Sequence, residues 1–312
     1  MGKIAFIFPG QGSQYVGMGK DLFDHIPEAK EVFLKADRAL DFELSSLCFE
    51  GPEDQLRLTA NTQPAILTVS IACLEAFRSR CQLIPSYVAG HSLGEYSALV
   101  ACSSLNFVDA VRLVRKRGQF MQEAVPVGVG GMLAVIGVER SKIEELCSAV
   151  KDEGVAEPAN INSLQQIVVA GEMKALKKLE VLLKEAGAKT VVQLPVSAPF
   201  HCSLMQPAGA KLKEAMIDVE FSDAQVPLIT NVSAKPITLG EQLKTGLVDQ
   251  VSKPVLWYDS VKYMLDNGVD TFLEFGPGRV LSGLVKKIER KAKVLNIQDL
   301  ESMNKVLNSF GV

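Results

Sequence analysis

Tyr87-Val88-Ala89-Gly90-His91-Ser92-Leu93-Gly94-Glu95-Tyr96-Ser97-Ala98 reads as a short apolar strand, a sharp turn and the start of a helix. Gly90, Ser92 and Gly94 fit G-x-S-x-G, the pattern of a nucleophile elbow. In such an elbow the serine has strained backbone dihedrals, so its Oγ is held out at the carboxyl end of the strand. Glycines two residues before and after leave room for the turn and for a substrate. A helix starting at about Leu93 aims unpaired N–H groups and its positive dipole end at the same spot, which favours an oxyanion there. Glycine-rich turns without chemistry also occur in α/β sheets. The strand before and the amphipathic helix after are the context that the elbow requires.

Outward from that stretch, Lys3 to Phe8 is a nearly continuous apolar run, as in a strand buried on both faces. It ends in Pro9-Gly10-Gln11-Gly12-Ser13-Gln14, a glycine-rich loop. A dinucleotide fingerprint G-x-G-x-x-G needs a glycine at position 15, where Tyr15 stands, and no second strand with an acidic end follows at the right distance. That leaves a plain turn, or a loop whose N–H groups face a site. Residues 20–60 read as helical with a polar face. Asn61-Thr62-Gln63-Pro64 opens a long apolar helix from about Ala65 to Arg80, with Pro64 near its first turn. Leu99 to Met121 is largely helical and ends in the basic cluster Arg112, Arg115, Lys116 and Arg117, followed by Gly118.

The rhythm changes at Val125-Pro126-Val127-Gly128-Val129-Gly130-Gly131. Strand-like stretches at 132–137, around Pro158 to Ile161, at 165–171 and at 189–196 alternate with helical ones at 140–151 and 172–187. That β-α-β-β-α-β order is a ferredoxin-like module. Larger-domain patterns resume after Ser197: a strand at 226–232, helices at 241–251 and 256–267, and a strand from Thr271 to Phe275. A helix after Gly276-Pro277-Gly278, a strand from Lys293 to Ile297 and a terminal helix complete the chain. The fold expected is α/β. A hydrolase-like large domain with a parallel sheet and nucleophile elbow spans 1–127 and 198–312, and an inserted ferredoxin-like small domain spans 128–197.

The chain has 312 residues, long enough to bury a sizeable core without staples. Its net charge of -3 argues against a non-specific nucleic-acid binder. Cys48, Cys73, Cys81, Cys102, Cys147 and Cys202 are scattered, with no C-x-x-C and no histidine pair at ligand spacing, so zinc is not expected and the thiols read as reduced. No spanning segment or signal peptide is visible, and the cytoplasm is the expected compartment.

A serine nucleophile needs a base, and only His25, His91 and His201 are on offer. His25 lies in a polar helical stretch. His91 adjoins Ser92, and adjacent side chains at such a turn point apart. His201 sits in the irregular loop Pro195-Val196-Ser197-Ala198-Pro199-Phe200-His201-Cys202 at the expected domain junction, a usual place for a catalytic residue. No Asp or Glu near His201 in sequence completes a triad. Phe200 is a bulky ring beside the candidate base and is expected to crowd a branched substrate there.

The stretches Phe8 to Gln14, Thr62-Gln63-Pro64-Ala65, Gly90 to Glu95, Arg117-Gly118, Ser197 to His201 and Phe275 to Gly278 occur in an order and at spacings that resemble the malonyl-CoA:acyl carrier protein transacylase family. The resemblance covers essentially the whole chain. It implies Ser92 as the acylated nucleophile and His201 as its base, in a dyad in which the backbone carbonyl of Gln250 orients the imidazole. It implies Gln11 and Leu93 as the oxyanion-hole amides and Arg117 as the partner of the malonyl carboxylate. It also places Asn160 and Asn162 of the small domain near the substrate. The partners implied are malonyl-CoA and acyl carrier protein, with no metal or other cofactor, no nucleic acid and no membrane, in a monomer that supplies fatty acid biosynthesis. Two rivals remain at this point: a serine esterase or thioesterase of related fold, and a non-catalytic carrier-protein docking module.

Overall fold

The computed structural model describes residues 2–196 and 198–311. Ser197, which opens one of the quoted motifs and ends the expected small domain, lies outside the described residues.

The first strand, β1 (Lys3–Phe8), is followed by helices α1 (Lys20–His25), α2 (Pro27–Leu40), α3 (Leu44–Glu50), α4 (Glu53–Arg57) and α5 (Thr59–Arg78). Then come β2 (Tyr87–Gly90), α6 (Gly94–Ala101) and α7 (Phe107–Glu123). A second group holds β3 (Gly130–Ile136), α8 (Arg140–Ala149), β4 (Ala156–Ser163), β5 (Gln166–Glu172), α9 (Met173–Glu185) and β6 (Thr190–Gln193). The remainder is α10 (Gln206–Ala215), β7 (Leu228–Ile229), β8 (Pro236–Ile237), α11 (Gly240–Ser252), α12 (Trp257–Asp266), β9 (Val269–Phe275), α13 (Val280–Ile288), β10 (Lys293–Ile297) and α14 (Leu300–Phe310).

Six strands form one sheet in the order β10-β9-β1-β2-β7-β8, parallel throughout except for the edge pair β7–β8. The chain moves to one side of β1 through β2 and β7, then returns to the other side with β9 and β10. The order therefore reverses between β1 and β9, and the crevice outside the carboxyl ends of the strands beside that switch point is where α/β sheets bind ligands. β1 is buried on both faces, as its apolar run requires. Phe6 and Phe8 join the core beneath α5, while Ala5 and Ile7 join the core beneath α12 and α13. α5 is buried almost all round, which suits a helix with apolar residues on every side.

β3 to β6 form a separate antiparallel sheet in the order β4-β5-β3-β6. Alternation along β3 divides its duties. Leu133 and Val135 pack under α8 and α9, while Met132 and Ala134 face the larger body.

Some expectations are corrected. α5 begins at Thr59, so Pro64 is its sixth residue and not part of its opening turn; the N–H groups of Asn61 and Thr62 both reach the Leu58 carbonyl at 2.8 Å and close the helix early. The helical stretch after the elbow is broken between Ala101 and Phe107, where Ser103 has φ 61° and the Asn106 side chain caps α7. The strand expected over 226–232 shrinks to Leu228–Ile229, and β6 stops at Gln193. α10 and β8 were not expected. No helix among the described residues is long and apolar enough to cross a membrane.

Candidate active site

Ser92 stands just past the carboxyl end of β2 with φ 51°, a left-handed conformation that a non-glycine residue holds only under constraint. The constraints are visible. A Cβ on Gly90 would lie 2.0 Å from the Gly94 carbonyl, and one on Gly94 would lie 2.0 Å from the Phe8 carbonyl. Only glycines let β1, β2 and α6 close on this turn. Asn231, just past β7, fastens it: its Oδ1 accepts the Ser92 N–H at 2.7 Å and its Nδ2 donates to the Gly90 carbonyl at 2.6 Å.

His201 also has positive φ, 62°. Its Nδ1 lies 2.7 Å from the Gln250 carbonyl and its Nε2 2.7 Å from Ser92 Oγ. A carbonyl only accepts, so Nδ1 carries the proton and Nε2 offers its lone pair to the serine hydroxyl. Gln250 thus meets His201 where a triad has its carboxylate. His201 is 3% exposed, and burial, followed by the charge on Arg117, holds its pKa down to about 3. At neutral pH it is the neutral imidazole that accepts a proton from a hydroxyl.

Arg117, on α7, is 2% exposed. Its Nη1 donates to Gln63 Oε1 at 2.8 Å, and its Nη2 to Gln250 Oε1 at 2.8 Å and to Ser92 Oγ at 3.2 Å. The Tyr96 ring lies beneath the guanidinium at 5.6 Å. Arg115, two residues away, is elsewhere: it stacks on Phe42 and donates to Asn61. His25 is exposed and bonded to the Asp21 carbonyl, and it takes no part in the site.

Ser92, His201 and Arg117 share a cavity of about 110 Å³ with Gln11, Leu93, Gln63, Met121, Met132, Asn160 and Phe200. Among the described residues, the N–H groups of Gln11 and Leu93 donate to no protein acceptor, which leaves both available in the cavity wall. The cavity joins a wider cleft of about 600 Å³ between the two sheets, reached past Gly10, Tyr15, Asn162 and Val280. Asn160 lines both spaces. Asn162 Oδ1 lies 2.8 Å from His91 Nε2, a bond from the second sheet to the elbow; burial lowers the His91 pKa. His91 therefore faces away from the serine hydroxyl.

The sequence reading named Gln250 for its carbonyl but missed Gln63, Glu95 and Asn231, which fasten these groups. Gln250 Nε2 donates to the Ser92 carbonyl and to Glu95 Oε2, both at 2.8 Å, and Glu95 Oε2 also accepts from the Asn231 N–H. Glu95 is buried, and burial raises its pKa to about 7 against the hydrogen bonds and the Arg117 charge that lower it. Gln63 and Glu95 lie inside quoted motifs, which was the available signal; Asn231 carried none. Among the described residues no group of His, Cys, Asp and Glu is arranged to hold a metal.

The acyl transferase domain family matches residues 5–306. A malonyl CoA-acyl carrier protein transacylase of Bacillus subtilis (strain 168) is 48% identical over 311 residues, 99% of this chain and 98% of the relative. The solved malonyl CoA-acyl carrier protein transacylase of Clostridium perfringens superposes with a TM-score of 0.96 at 44% identity, covering 99% of this chain and 97% of that one. A malonyl-transacylase solved in complex with a type II PKS acyl-carrier protein gives a TM-score of 0.96 at 40% identity, covering 98% of this chain and 99% of that one. With likeness of that degree over its full length, the chain belongs to the acyl transferase domain family, among the malonyl CoA-acyl carrier protein transacylases.

Proposed function

We propose that this chain moves a malonyl group from malonyl-CoA to the phosphopantetheine thiol of an acyl carrier protein through a malonyl-Ser92 intermediate, supplying fatty acid biosynthesis. The observation that carries the reading is a buried arginine within 3.2 Å of a serine that is itself 2.7 Å from a neutral histidine. A serine hydrolase of neutral esters has no use for that cation. A malonyl thioester brings a carboxylate that needs one, and the planar fork of arginine stays charged and binds it bidentately.

In the first half-reaction Ser92 Oγ attacks the thioester carbon and its proton passes to His201 Nε2, while the Gln11 and Leu93 N–H groups take the oxyanion. The tetrahedral adduct collapses, the C–S bond breaks, and the departing CoA sulfur takes the proton back from Nε2. In the second half-reaction the carrier thiol gives its proton to Nε2 and attacks the acyl-serine, and Ser92 leaves with that proton. The kinetics are ping-pong. The Gln250 carbonyl keeps Nδ1 protonated throughout. Thioester exchange is nearly isoenergetic, so the site's task is to exclude water. Phe200 limits the acyl group, and Asn160 and Asn162 line the approach of the pantetheine arm. Every step uses side chains and amides of this chain, with no cofactor.

We also assign 1–127 and 198–312 to a hydrolase-like catalytic domain and 128–197 to an inserted ferredoxin-like domain. The sheet order β4-β5-β3-β6 with two helices on one face, and the separate core beneath them, support this. Six free cysteines, five of them buried, fit a reducing cytoplasm.

The test is the intact mass after incubation with malonyl-CoA and no acceptor. One malonyl group should add to the native chain and none to Ser92→Ala. Equal labelling of the variant would remove Ser92 from the mechanism.

A further inference from the structure

The Arg117 guanidinium reaches the reacting hydroxyl itself. Ser92 Oγ lies between two groups: it donates to His201 Nε2 at 2.7 Å and accepts from Arg117 Nη2 at 3.2 Å. An N–H on the serine oxygen occupies one of its two lone pairs and draws electron density from it, which makes it a weaker nucleophile. A fixed cation one hydroxyl away from the imidazole also opposes the imidazolium that forms as the proton transfers. Both effects act in a buried site where screening is weak. We propose that Arg117, besides holding the malonyl carboxylate, keeps the Ser92–His201 pair inactive until a carboxylate enters, so that the substrate's own anion releases the nucleophile. This rests on the reading that Arg117 receives that carboxylate.

The donor arithmetic makes the exchange necessary. Each terminal nitrogen of the guanidinium carries two N–H groups, and Nε carries one. A bidentate carboxylate uses Nη2 together with either Nη1 or Nε. Both N–H groups of Nη2 are taken, by Gln250 Oε1 and by Ser92 Oγ. Gln250 is anchored through Nε2 to the Ser92 carbonyl and Glu95, and through its own carbonyl to His201. Ser92 Oγ is therefore the partner given up. Nε is buried without a hydrogen-bond partner, and the acceptor that faces the guanidinium from α6 is the Tyr96 hydroxyl, also unpartnered.

The charges around the pair are few. Arg117 on α7 and His91 on the turn face His201, with the Gln250 carbonyl from α11 opposite; Glu95 and Tyr96 on α6 face Arg117. Burial depresses the His201 pKa most, and Arg117 comes next. A carboxylate that neutralises Arg117 removes the second influence and strengthens the base. An acetyl group leaves it in place. Selection is then made twice, once in binding and once in the strength of the catalytic pair.

The experiment follows acetylation of Ser92 by acetyl-CoA, from intact-mass time courses between about pH 4.5 and 9, in wild type, Arg117→Ala and Gln63→Glu. The carboxylate introduced by Gln63→Glu meets Nη1 from behind and neutralises the cation without enlarging the cavity. Both variants should acetylate roughly 10- to 100-fold faster than wild type, the size of effect that one nearby charge exerts at a buried site. Wild-type acetylation should lack an acid limb in this range; Arg117→Ala removes the second influence only, so its acid limb should move up from the wild-type position while burial still holds it below the ordinary histidine pKa of about 6.5. If Arg117→Ala loses malonylation but acetylates at the wild-type rate with the wild-type pH profile, the proposal is wrong while the carboxylate reading stands. Acceleration in Arg117→Ala without acceleration in Gln63→Glu also overturns it, since relief of crowding would then explain the gain. Retention of malonylation in Arg117→Ala refutes the carboxylate reading itself.

Discussion

Asn231 shows how one side chain sustains a strained serine. At φ 51° the Ser92 N–H points away from any acceptor in its own turn, and Asn231 Oδ1 takes it. Asn231→Ala strands that N–H and the Gly90 carbonyl, and each buried unpaired group costs about 1–3 kcal/mol. We expect a lower melting temperature together with a kcat for malonyl-CoA at least roughly tenfold lower and a nearly unchanged KM, because a turn that relaxes misplaces the nucleophile and not the binding groups. A fall in melting temperature with unchanged kcat would limit Asn231 to a stabilising role. His201→Ala should slow acylation by roughly two to four orders of magnitude, the usual range for a general base, while His25→Ala does almost nothing. Similar losses in both would end the dyad reading. Ser92 was legible because its neighbours in sequence are also its neighbours in the turn. His201 was legible because the chain offers three histidines and two are excluded by local context. Asn231 was not, because its bond to Ser92 spans 139 positions and no local pattern marks it.

The elbow works as an assembly of β1, β2 and α6, and its tolerances are set by backbone contacts. The Gln11 and Leu93 amides serve one oxyanion only if the loop after β1 and the start of α6 keep their spacing. Gly94 sets it, since a Cβ there would lie 2.0 Å from the Phe8 carbonyl. Gly94→Ala must push α6 away from β1, and a misplacement of about 1 Å at a catalytic centre costs on the order of 100-fold in rate. The check is kcat alongside a circular dichroism spectrum that reports a folded chain; wild-type turnover in the variant would show that the two amides do not act together. Gly246 is the control. It lies within α11, and a methyl group added there would meet nothing within 4 Å, so Gly246→Ala should keep full activity and gain roughly 0.5–1 kcal/mol of stability. Long elements were readable from their periodicity: β10 matches the expected Lys293 to Ile297, and α8 and α9 fall within a residue or two of expectation. β7 was read too long and β8 was not read, because two-residue strands carry no period; pairing with β2 defines β7, and pairing with β7 defines β8.

The second sheet acts as a roof over the first. Its Met132 enters the small cavity and its Ala134 and Val168 line the cleft, while the His91–Asn162 bond ties roof to elbow. β4 is stitched to the larger body by backbone bonds in both directions, Ile161 N–H to the Val255 carbonyl and Val255 N–H to the Ala159 carbonyl, each at 2.9 Å. A separate second sheet was legible from the interrupted rhythm of the chain; that one face of it closes the site was legible only through the resemblance, which placed Asn160 and Asn162 near the substrate, because β3 and β5 are apolar on both faces and either one suits a core. This closure gives the acyl cavity walls that do not yield. Phe200, 8% exposed, stands in that wall between His201 and the residues contributed by α5, α7 and the roof. In about 110 Å³ an α-methyl on the acyl group must press on that ring or displace the thioester from Ser92. One methyl in an apolar pocket is worth about 1–3 kcal/mol, so malonyl-CoA should be preferred to methylmalonyl-CoA by roughly 10- to 200-fold in kcat/KM. Phe200→Ala should narrow that ratio, and by opening the wall it should also let water reach malonyl-Ser92, seen as faster release of malonate when no carrier is present. Comparable kcat/KM for both thioesters in the wild type would mean that the cavity reads only the carboxylate at Arg117 and is indifferent to the carbon that bears it.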